Sequence, residues 1–100
     1  MASRLLLLGA LLCACGACLG QDNAAARSLA ATCAGCHGTE GRSATKEVAS
    51  LAGLSREHIA GQMKAFRDGS RPATVMHQIA KGYSDQQIEL IADYFARRPK

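Results

Sequence analysis

The 100-residue chain has no tryptophan, two tyrosines and two phenylalanines, so aromatic side chains cannot dominate its core. It also lacks a strong charge of one sign, since 12 basic and 8 acidic residues are interspersed and give a net charge of +4. That balance is too mild to indicate nucleic-acid binding. Hydrophobic residues make up 48% of the chain and charged residues 20%, which excludes a disordered protein. No strand pattern and no internal repeat is visible.

A long apolar run is also missing, and the one at the start of the chain is short. Arg4 precedes the leucine-rich stretch 5–12, and small residues follow as far as Gly20. This order is typical of a secretory signal and too short for a confident membrane span. We therefore predict a signal peptide over 1–20, cleavage after Gly20, and a single exported domain over 21–100 in the periplasm.

Three cysteines within this segment allow a second interpretation. Cys13, Cys15 and Cys18 lie in small-residue sequences that loosely resemble a lipoprotein cleavage box. In that case Cys15 or Cys18 would carry a lipid anchor, which is the only membrane attachment that the sequence suggests. We favour the interpretation that these are small apolar residues of a discarded peptide.

The remaining two cysteines form the motif Cys33-x-x-Cys36-His37. Two thiols exclude a four-cysteine zinc site, and His58 and His77 are not spaced like the usual histidine pair of a zinc site. A redox-active pair would require a strand before the motif, and none is predicted. Cys-x-x-Cys-His is the attachment sequence of c-type haem, and we therefore predict one covalently bound haem.

This motif gives each residue a separate role. The thiols of Cys33 and Cys36 would form thioether bonds to the haem vinyl groups, and His37 would bind the iron from the proximal side. A domain this small buries only roughly 60% of its unfolded surface, so a covalent cofactor would contribute much of its core.

Apolar residues at helical spacing predict an all-α fold of about four short helices packed around the haem. The predicted helices cover 23–34, 56–66 or beyond, 73–80 and 85–97, and 38–54 is mostly loop. Asp22 or Asn23, Ser55 and Ser84 are the predicted N-caps, and Ser84 with Gln87 forms a capping box. The predicted buried faces are Ala25, Leu29 and Ala30; Ile59, Met63 and Phe66; and Ile88, Ile91, Ala92 and Phe95.

The iron needs either a distal ligand or an open position. Met63 lies on an apolar helical stripe, which favours a core role, and His58 at a helix start is expected to be solvated. Met76 and His77 both remain candidates from spacing alone, but adjacent residues cannot both face the same iron. A methionine thioether would raise the reduction potential of the iron.

Four segments resemble small class I cytochromes c of bacterial periplasms: CAGCHGTEG (33–41), SLAG (50–53), QMKAFRDG (62–69) and RPATVMHQIAKGYSD (71–85). The last is similar to the cytochrome subunits of flavocytochrome c sulfide dehydrogenases. The resemblance runs from about Arg27 to Ala96.

This resemblance implies that His37 and Met76 are the axial iron ligands and that Cys33 and Cys36 attach the haem. Many relatives carry a proline just before the Leu-Ala-Gly turn, and its carbonyl orients the proximal histidine. In this chain Ala49 and Ser50 lie at that place.

The function implied is that of a monohaem electron carrier, with no catalytic residue of its own. The resemblance further implies that a flavoprotein subunit of sulfide dehydrogenase passes it single electrons. One alternative is a free soluble carrier feeding an oxidase or a reductase. A second is a peroxidase-like or gas-sensing haem protein whose Met76 leaves the iron.

Two groups of residues are candidates for contact with redox partners. Basic side chains would steer acidic partners, and unpaired apolar side chains would pack against a permanent one. The basic candidates are Lys46, Lys64, Lys81, Arg67 and Arg71, and the apolar ones are Val48, Leu51, Leu54 and Val75.

Overall fold

A computed structural model describes residues 21–100, so the predicted signal peptide and Cys13, Cys15 and Cys18 lie outside the described residues. The helices are α1 (Gln21–Ala31), α2 (Ala34–His37), α3 (Arg56–Asp68), α4 (Met76–Ala80) and α5 (Asp85–Ala96), with a 3₁₀ turn at Thr39–Gly41. This part of the chain contains no strand, which confirms the all-α prediction. None of these helices is long and apolar enough to cross a membrane.

The first predicted helix is divided in two by a turn at Thr32 and Cys33. The amides of these residues donate to the carbonyls of Leu29 and Ala30, three residues back, at 3.4 and 3.0 Å. The Thr32 hydroxyl also donates to the Leu29 carbonyl at 2.8 Å. Side-chain bonds of this kind compete with the helical pattern, so α1 ends and α2 begins separately.

Two details predicted for α1 were wrong. The helix already includes Gln21, so Asp22 and Asn23 lie within it and not at its start. Its buried face contains Ala26 and Ala30, whereas Ala25 is exposed.

The two longest predicted helices after α1 are confirmed, together with their caps. The Ser55 hydroxyl accepts the His58 amide at 3.1 Å at the start of α3. At the start of α5, the Ser84 hydroxyl accepts the Gln87 amide at 3.2 Å, and the Gln87 side chain accepts the Ser84 amide at 2.9 Å. Both helix starts are thus fixed by local hydrogen bonds that the sequence predicts.

Helix α4 is shorter than predicted, because it begins at Met76 and not at Ala73. Val75 has φ −133° and precedes the helix without a side-chain cap. The β-branched pair Thr74 and Val75 has low helix propensity, which explains why the helix starts only after it.

Helix α5 lies at the centre of the fold, where it packs against α1 and α3, while α4 packs against α3. Its predicted stripe is confirmed as buried: Ile88, Ile91, Ala92 and Phe95. From α3, Ile59 and Met63 join this core, whereas Phe66 is only partly buried at its edge.

Charged side chains also join α3 to α5. The Glu89 carboxylate lies 2.9 Å from the Lys64 ammonium and 3.0 Å from the Arg56 guanidinium, and Asp85 pairs with Arg67. These partners lower the pKa of both carboxyl groups, chiefly by side-chain hydrogen bonds from Lys64 to Glu89 and from Arg67 to Asp85. A carboxylate with a lowered pKa stabilises the fold above its unfolded pKa, and that contribution is lost as the pH falls through the folded value.

The loop between α2 and α3 is fixed against the end of α5. The Gly41 carbonyl accepts the amides of Leu51 and Ala52 at 2.7 and 3.1 Å, and the Gly53 amide donates to the Phe95 carbonyl at 3.0 Å. Gly41 has φ 78°, and a Cβ atom there would lie 2.7 Å from the Phe95 ring. A glycine is therefore required at this position for both its backbone angle and its close approach.

We predict that Gly41→Ala destabilises the protein and Gly61→Ala does not. The left-handed conformation alone costs a residue with a side chain about 1–2 kcal/mol, and the contact with Phe95 adds to it. Gly61 lies in α3, and a Cβ atom there would meet no neighbouring atom within 4 Å, so alanine should stabilise the helix by up to about 1 kcal/mol. Denaturant unfolding of the two haem-loaded variants measures both effects, and equal stabilities would contradict the prediction.

Candidate functional site

The predicted attachment motif folds as one helical turn. Cys33 has helical angles (φ −83°, ψ −19°) and its carbonyl accepts the Cys36 and His37 amides at 3.3 and 2.9 Å. Residues separated by three and four positions share one face of a helix. The turn therefore directs both thiols and the imidazole to the same side.

The two thiols have different surroundings. Cys33 is partly buried and packs against the core, Cys36 is exposed, and neither forms a disulfide within the described part of the chain. Burial raises the pKa of the Cys33 thiol, and the hydrogen bond with Thr32 opposes this only in part. A raised pKa disfavours the thiolate, so this thiol does not resemble the activated cysteine of a redox-active pair.

The imidazole of His37 is oriented by a backbone carbonyl. Its Nδ1 lies 2.7 Å from the carbonyl oxygen of Ala49, which can only accept a hydrogen bond. In the neutral ring Nδ1 must then carry the proton, and Nε2 keeps the lone pair that binds metal. A carbonyl bonded to the second ring nitrogen is the usual way in which proteins orient a metal-binding histidine. The Ala49 carbonyl therefore has the role that the sequence resemblance assigns to the carbonyl of a proline.

The chain turns sharply after the imidazole, at Gly38. Its φ is 87°, and a Cβ atom there would lie 1.9 Å from the Arg42 carbonyl oxygen. Any side chain at Gly38 would thus displace the loop that leads to Ala49. A glycine is therefore required at position 38 for this return of the chain.

The candidate distal ligands lie in different environments. Met76 is the first residue of α4, partly buried and packed against the core. Met63 is 7% exposed within the core, as the sequence predicts, and His58 is exposed. Met76 and its neighbour His77 therefore remain the candidates for the distal iron ligand.

His77 has one feature that the sequence does not reveal. Its Nδ1 atom is buried and has no hydrogen-bond partner among residues 21–100. Arg98 Nε is a second buried atom without a partner in the described residues, so the unpaired Nδ1 of His77 does not by itself mark a cofactor site.

A groove of about 650 Å³ lies beside the attachment turn. Its walls include Cys36, Gly38, Arg42 and Val48, but neither His37 nor Met76. The groove therefore does not bring the two candidate iron ligands together. Within residues 21–100 no group of three or more His, Cys, Asp or Glu side chains is close enough to hold a metal ion by itself.

The attachment residues fit covalent haem. Two thiols and one imidazole share a face, and the imidazole has its Nε2 lone pair available. Apolar side chains at the edge of the core are only partly covered, among them Leu29, Leu51, Leu54, Phe66 and Met76. Such a surface suits a large apolar ring.

One contact beside the attachment motif was not predicted by the sequence analysis. The Tyr83 hydroxyl lies 2.8 Å from the Thr32 hydroxyl, next to Cys33. No motif predicts it, because the two residues are 51 positions apart.

Comparison with known proteins gives relatives of one kind, although no family model matches the chain. The chain is 46% identical over 72 residues to the cytochrome subunit of sulfide dehydrogenase from Chlorobaculum tepidum. This match covers 72% of the chain and 64% of the relative, so the chain corresponds to less than two thirds of that protein.

Two further relatives match at comparable coverage of this chain. It is 37% identical over 78 residues to cytochrome c-554(548) of Halomonas halodenitrificans, covering 75% of the chain and 94% of the relative. The solved structure of cytochrome c4 from Acidithiobacillus ferrooxidans matches with a TM-score of 0.66 at 29% identity, over 73% of the chain and 49% of that structure. The helical fold, the attachment turn and these relatives agree: the chain belongs to the class I cytochromes c, electron-transfer proteins that bind haem c covalently, and its size fits one haem.

Proposed function

We propose that this chain is an exported monohaem cytochrome that accepts single electrons from the flavoprotein subunit of a sulfide dehydrogenase. The observation that carries the proposal is the 46% identity to the cytochrome subunit of such an enzyme. In this role the chain is not itself catalytic. It needs no nucleophile or substrate pocket, only a redox group held at a suitable potential.

The residues divide this task among them. Cys33 and Cys36 tether the haem, His37 binds the iron through Nε2, and Met76 is the distal ligand. When bound, the haem supplies an iron that can be reduced and reoxidised by one electron. The hydrogen bond from His37 Nδ1–H to the Ala49 carbonyl fixes the orientation of the ring, and Nε2 would be the nitrogen that binds the iron.

Met76 is preferred to His77 on both position and chemistry. Met76 and the fully buried Ala80 are four residues apart, so they share the face of α4 that packs on the core. A thioether ligand stabilises ferrous iron and raises the potential, which suits an acceptor of electrons.

The surface proposed for the partner is the outer side of α4 with Lys81. Val75 and Ile79 are 56% and 42% exposed, and they are the large apolar side chains left most open in the described part of the chain. Lys81 follows them closely and is exposed. An apolar centre with a positive rim suits an acidic redox partner.

The structure changes which predicted contact residues remain available. Leu51 and Leu54 pack against the core, so the prediction that they lack partners was wrong, and Val48 is partly buried.

Three of the basic candidates are also engaged within the chain. Lys64 pairs with Glu89 and Arg67 with Asp85, while Arg71 lies over the Phe66 ring. Lys46 and Lys81 are the two basic candidates that form neither an ion pair nor a cation–π contact within residues 21–100, and they support steering of the partner best.

Residues 1–20 are proposed as the signal peptide, with cleavage after Gly20 and a periplasmic domain over 21–100. A lipid on Cys15 or Cys18 is the alternative, which would tether the same domain to a membrane. The mass of the mature protein distinguishes the two, because lipidation adds acyl chains and retains part of the leader.

We predict that the haem remains with the protein after acid–acetone extraction. Thioether bonds at Cys33 and Cys36 would resist conditions that remove a haem held by ligands alone. Cys33→Ala and Cys36→Ala should leave little stable holoprotein, because a domain this small depends on its cofactor for its core. Complete loss of colour from the extracted wild-type protein would contradict covalent attachment.

Replacement of methionines tests the distal ligand. Met76→Ala should abolish the red charge-transfer band of methionine-bound ferric haem, leave the iron high-spin or bound by His77, and lower the potential. Met63→Leu should change neither spectrum nor potential, because a volume-conserving substitution in the core usually costs less than about 1.5 kcal/mol. The reverse pattern would assign the ligand to Met63.

Purification of the cytochrome from its native source tests whether a flavoprotein is its partner. We expect the cytochrome to elute with a flavoprotein, and sulfide to reduce its haem only when that flavoprotein is present. Val75→Ser with Ile79→Ser should weaken the association, whereas Glu57→Gln on exposed α3 surface serves as control. A cytochrome that elutes alone at low salt, without flavin, would favour a free carrier, as the nearly full-length match to cytochrome c-554(548) also allows.

A further inference from the structure

A hydrogen bond joins the haem-attachment turn to the segment that follows the proposed distal ligand. The Tyr83 and Thr32 hydroxyl oxygens are 2.8 Å apart, and the Thr32 hydroxyl donates its proton to the Leu29 carbonyl. Tyr83 must then be the donor to Thr32. The Thr32 oxygen also lies 3.9 Å from the Cys33 sulfur, so the bond ends directly beside an attachment residue.

No other hydrogen bond in residues 21–100 connects the attachment turn with the stretch 76–84. Helix α4 packs chiefly against α3. Within the described part of the chain, the contact between Tyr83 and Thr32 is therefore the one polar connection between the proximal and distal parts of the proposed iron site.

Tyr83 is itself held in place by its backbone. Its amide donates to the Ala80 carbonyl at 3.2 Å, which fixes it to the end of α4. Its carbonyl accepts from the Arg67 guanidinium at 3.3 Å, and Arg67 also pairs with Asp85 at the start of α5. These backbone contacts couple the position of Tyr83 to that of α4. A displacement of the Tyr83 side chain would therefore also displace α4.

We propose that the Tyr83–Thr32 hydrogen bond is a clasp that holds the Met76 segment closed over the haem. Tyr83 is a positioning residue in this role, since it acts on the iron only through Met76. The inference rests on the proposed assignment of Met76 as the distal ligand.

The proposed clasp should lower the apparent affinity of the iron for an external ligand that replaces Met76. An added ligand can bind only after Met76 leaves the iron, and the clasp opposes that opening if α4 must move away from Thr32. Loss of the bond lowers the cost of opening and so increases the apparent affinity of the external ligand.

Imidazole is a suitable probe, titrated into the ferric holoprotein at constant pH and followed by its absorption spectrum. Tyr83→Phe removes only the hydroxyl, and Thr32→Val removes its acceptor. Each should tighten imidazole binding about threefold, because an exposed hydrogen bond lies at the low end of the net range of such bonds. The double variant should show no further gain, and Thr32→Ser should retain the wild-type affinity.

Tyr94→Phe is the matched control. Tyr94 is the other tyrosine of the chain, and its hydroxyl makes no hydrogen bond within the described residues. This variant should bind imidazole like the wild-type protein. Denaturant unfolding of each variant separates a change in overall stability from a change in ligand exchange.

Two outcomes overturn the inference. Wild-type imidazole affinity in Tyr83→Phe, while Met76→Ala loses the charge-transfer band, would show that Met76 leaves the iron without opening the clasp. An equal increase in Tyr94→Phe would show a nonspecific effect. Retention of the band in Met76→Ala would instead refute the ligand assignment, which distinguishes failure of the proposed function from failure of the clasp.

Discussion

The close contact between Phe95 and Gly41 is the constraint on which the site depends. The Phe95 side chain is buried in the core, its ring lies where a side chain at position 41 would be, and its carbonyl accepts the Gly53 amide. The loop between these two glycines is thus held at both ends against α5. Ala49 lies within this loop, and its carbonyl can meet His37 Nδ1 only because the loop is held there. Packing at the end of α5 therefore helps to orient the His37 imidazole.

The proximal and distal parts of the site are supported by different elements. The attachment turn follows directly from α1, which packs on α5, whereas α4 carries Met76 and packs on α3. Helix α5 supports both parts, because α1 and α3 both pack against it. Within residues 21–100, the hydrogen bond between Tyr83 and Thr32 connects them directly. In the proposed site, the two iron ligands would therefore come from separate elements that share α5 as their common support.

The basic side chains on the surface fall into two groups, those paired with carboxylates and those without such a partner within residues 21–100. On the side formed by α3 and α5, cations are paired with Glu89 and Asp85 and contribute to the packing of the two helices. Beside α4, Lys81 has no such partner within residues 21–100 and borders apolar side chains. The unpaired charge therefore lies next to the proposed electron-transfer partner surface, where attraction of an acidic partner would act near the distal ligand.

The sequence by itself determined the chemistry of the site and most of the helices. The motif Cys33-x-x-Cys36-His37 predicts haem attachment, because it is the attachment sequence of c-type haem. The capping box at Ser84 and the apolar stripe of α5 are likewise local patterns, and both are confirmed. By contrast, the break at Thr32 was missed, because a side chain there bonds to the backbone in competition with helix continuation.

Only the tertiary structure decided what depends on contacts between distant residues. The bond from His37 to Ala49 depends on the path of a loop, and that from Tyr83 to Thr32 on the packing of α4 against the rest of the chain. The sequence likewise did not predict that Leu51 and Leu54 pack against the core. Nor did it predict that Lys64 and Arg67 each form an ion pair with a carboxylate of α5. Periodicity and capping report on neighbours along the chain, whereas these contacts join elements whose relative position is set by the shared core.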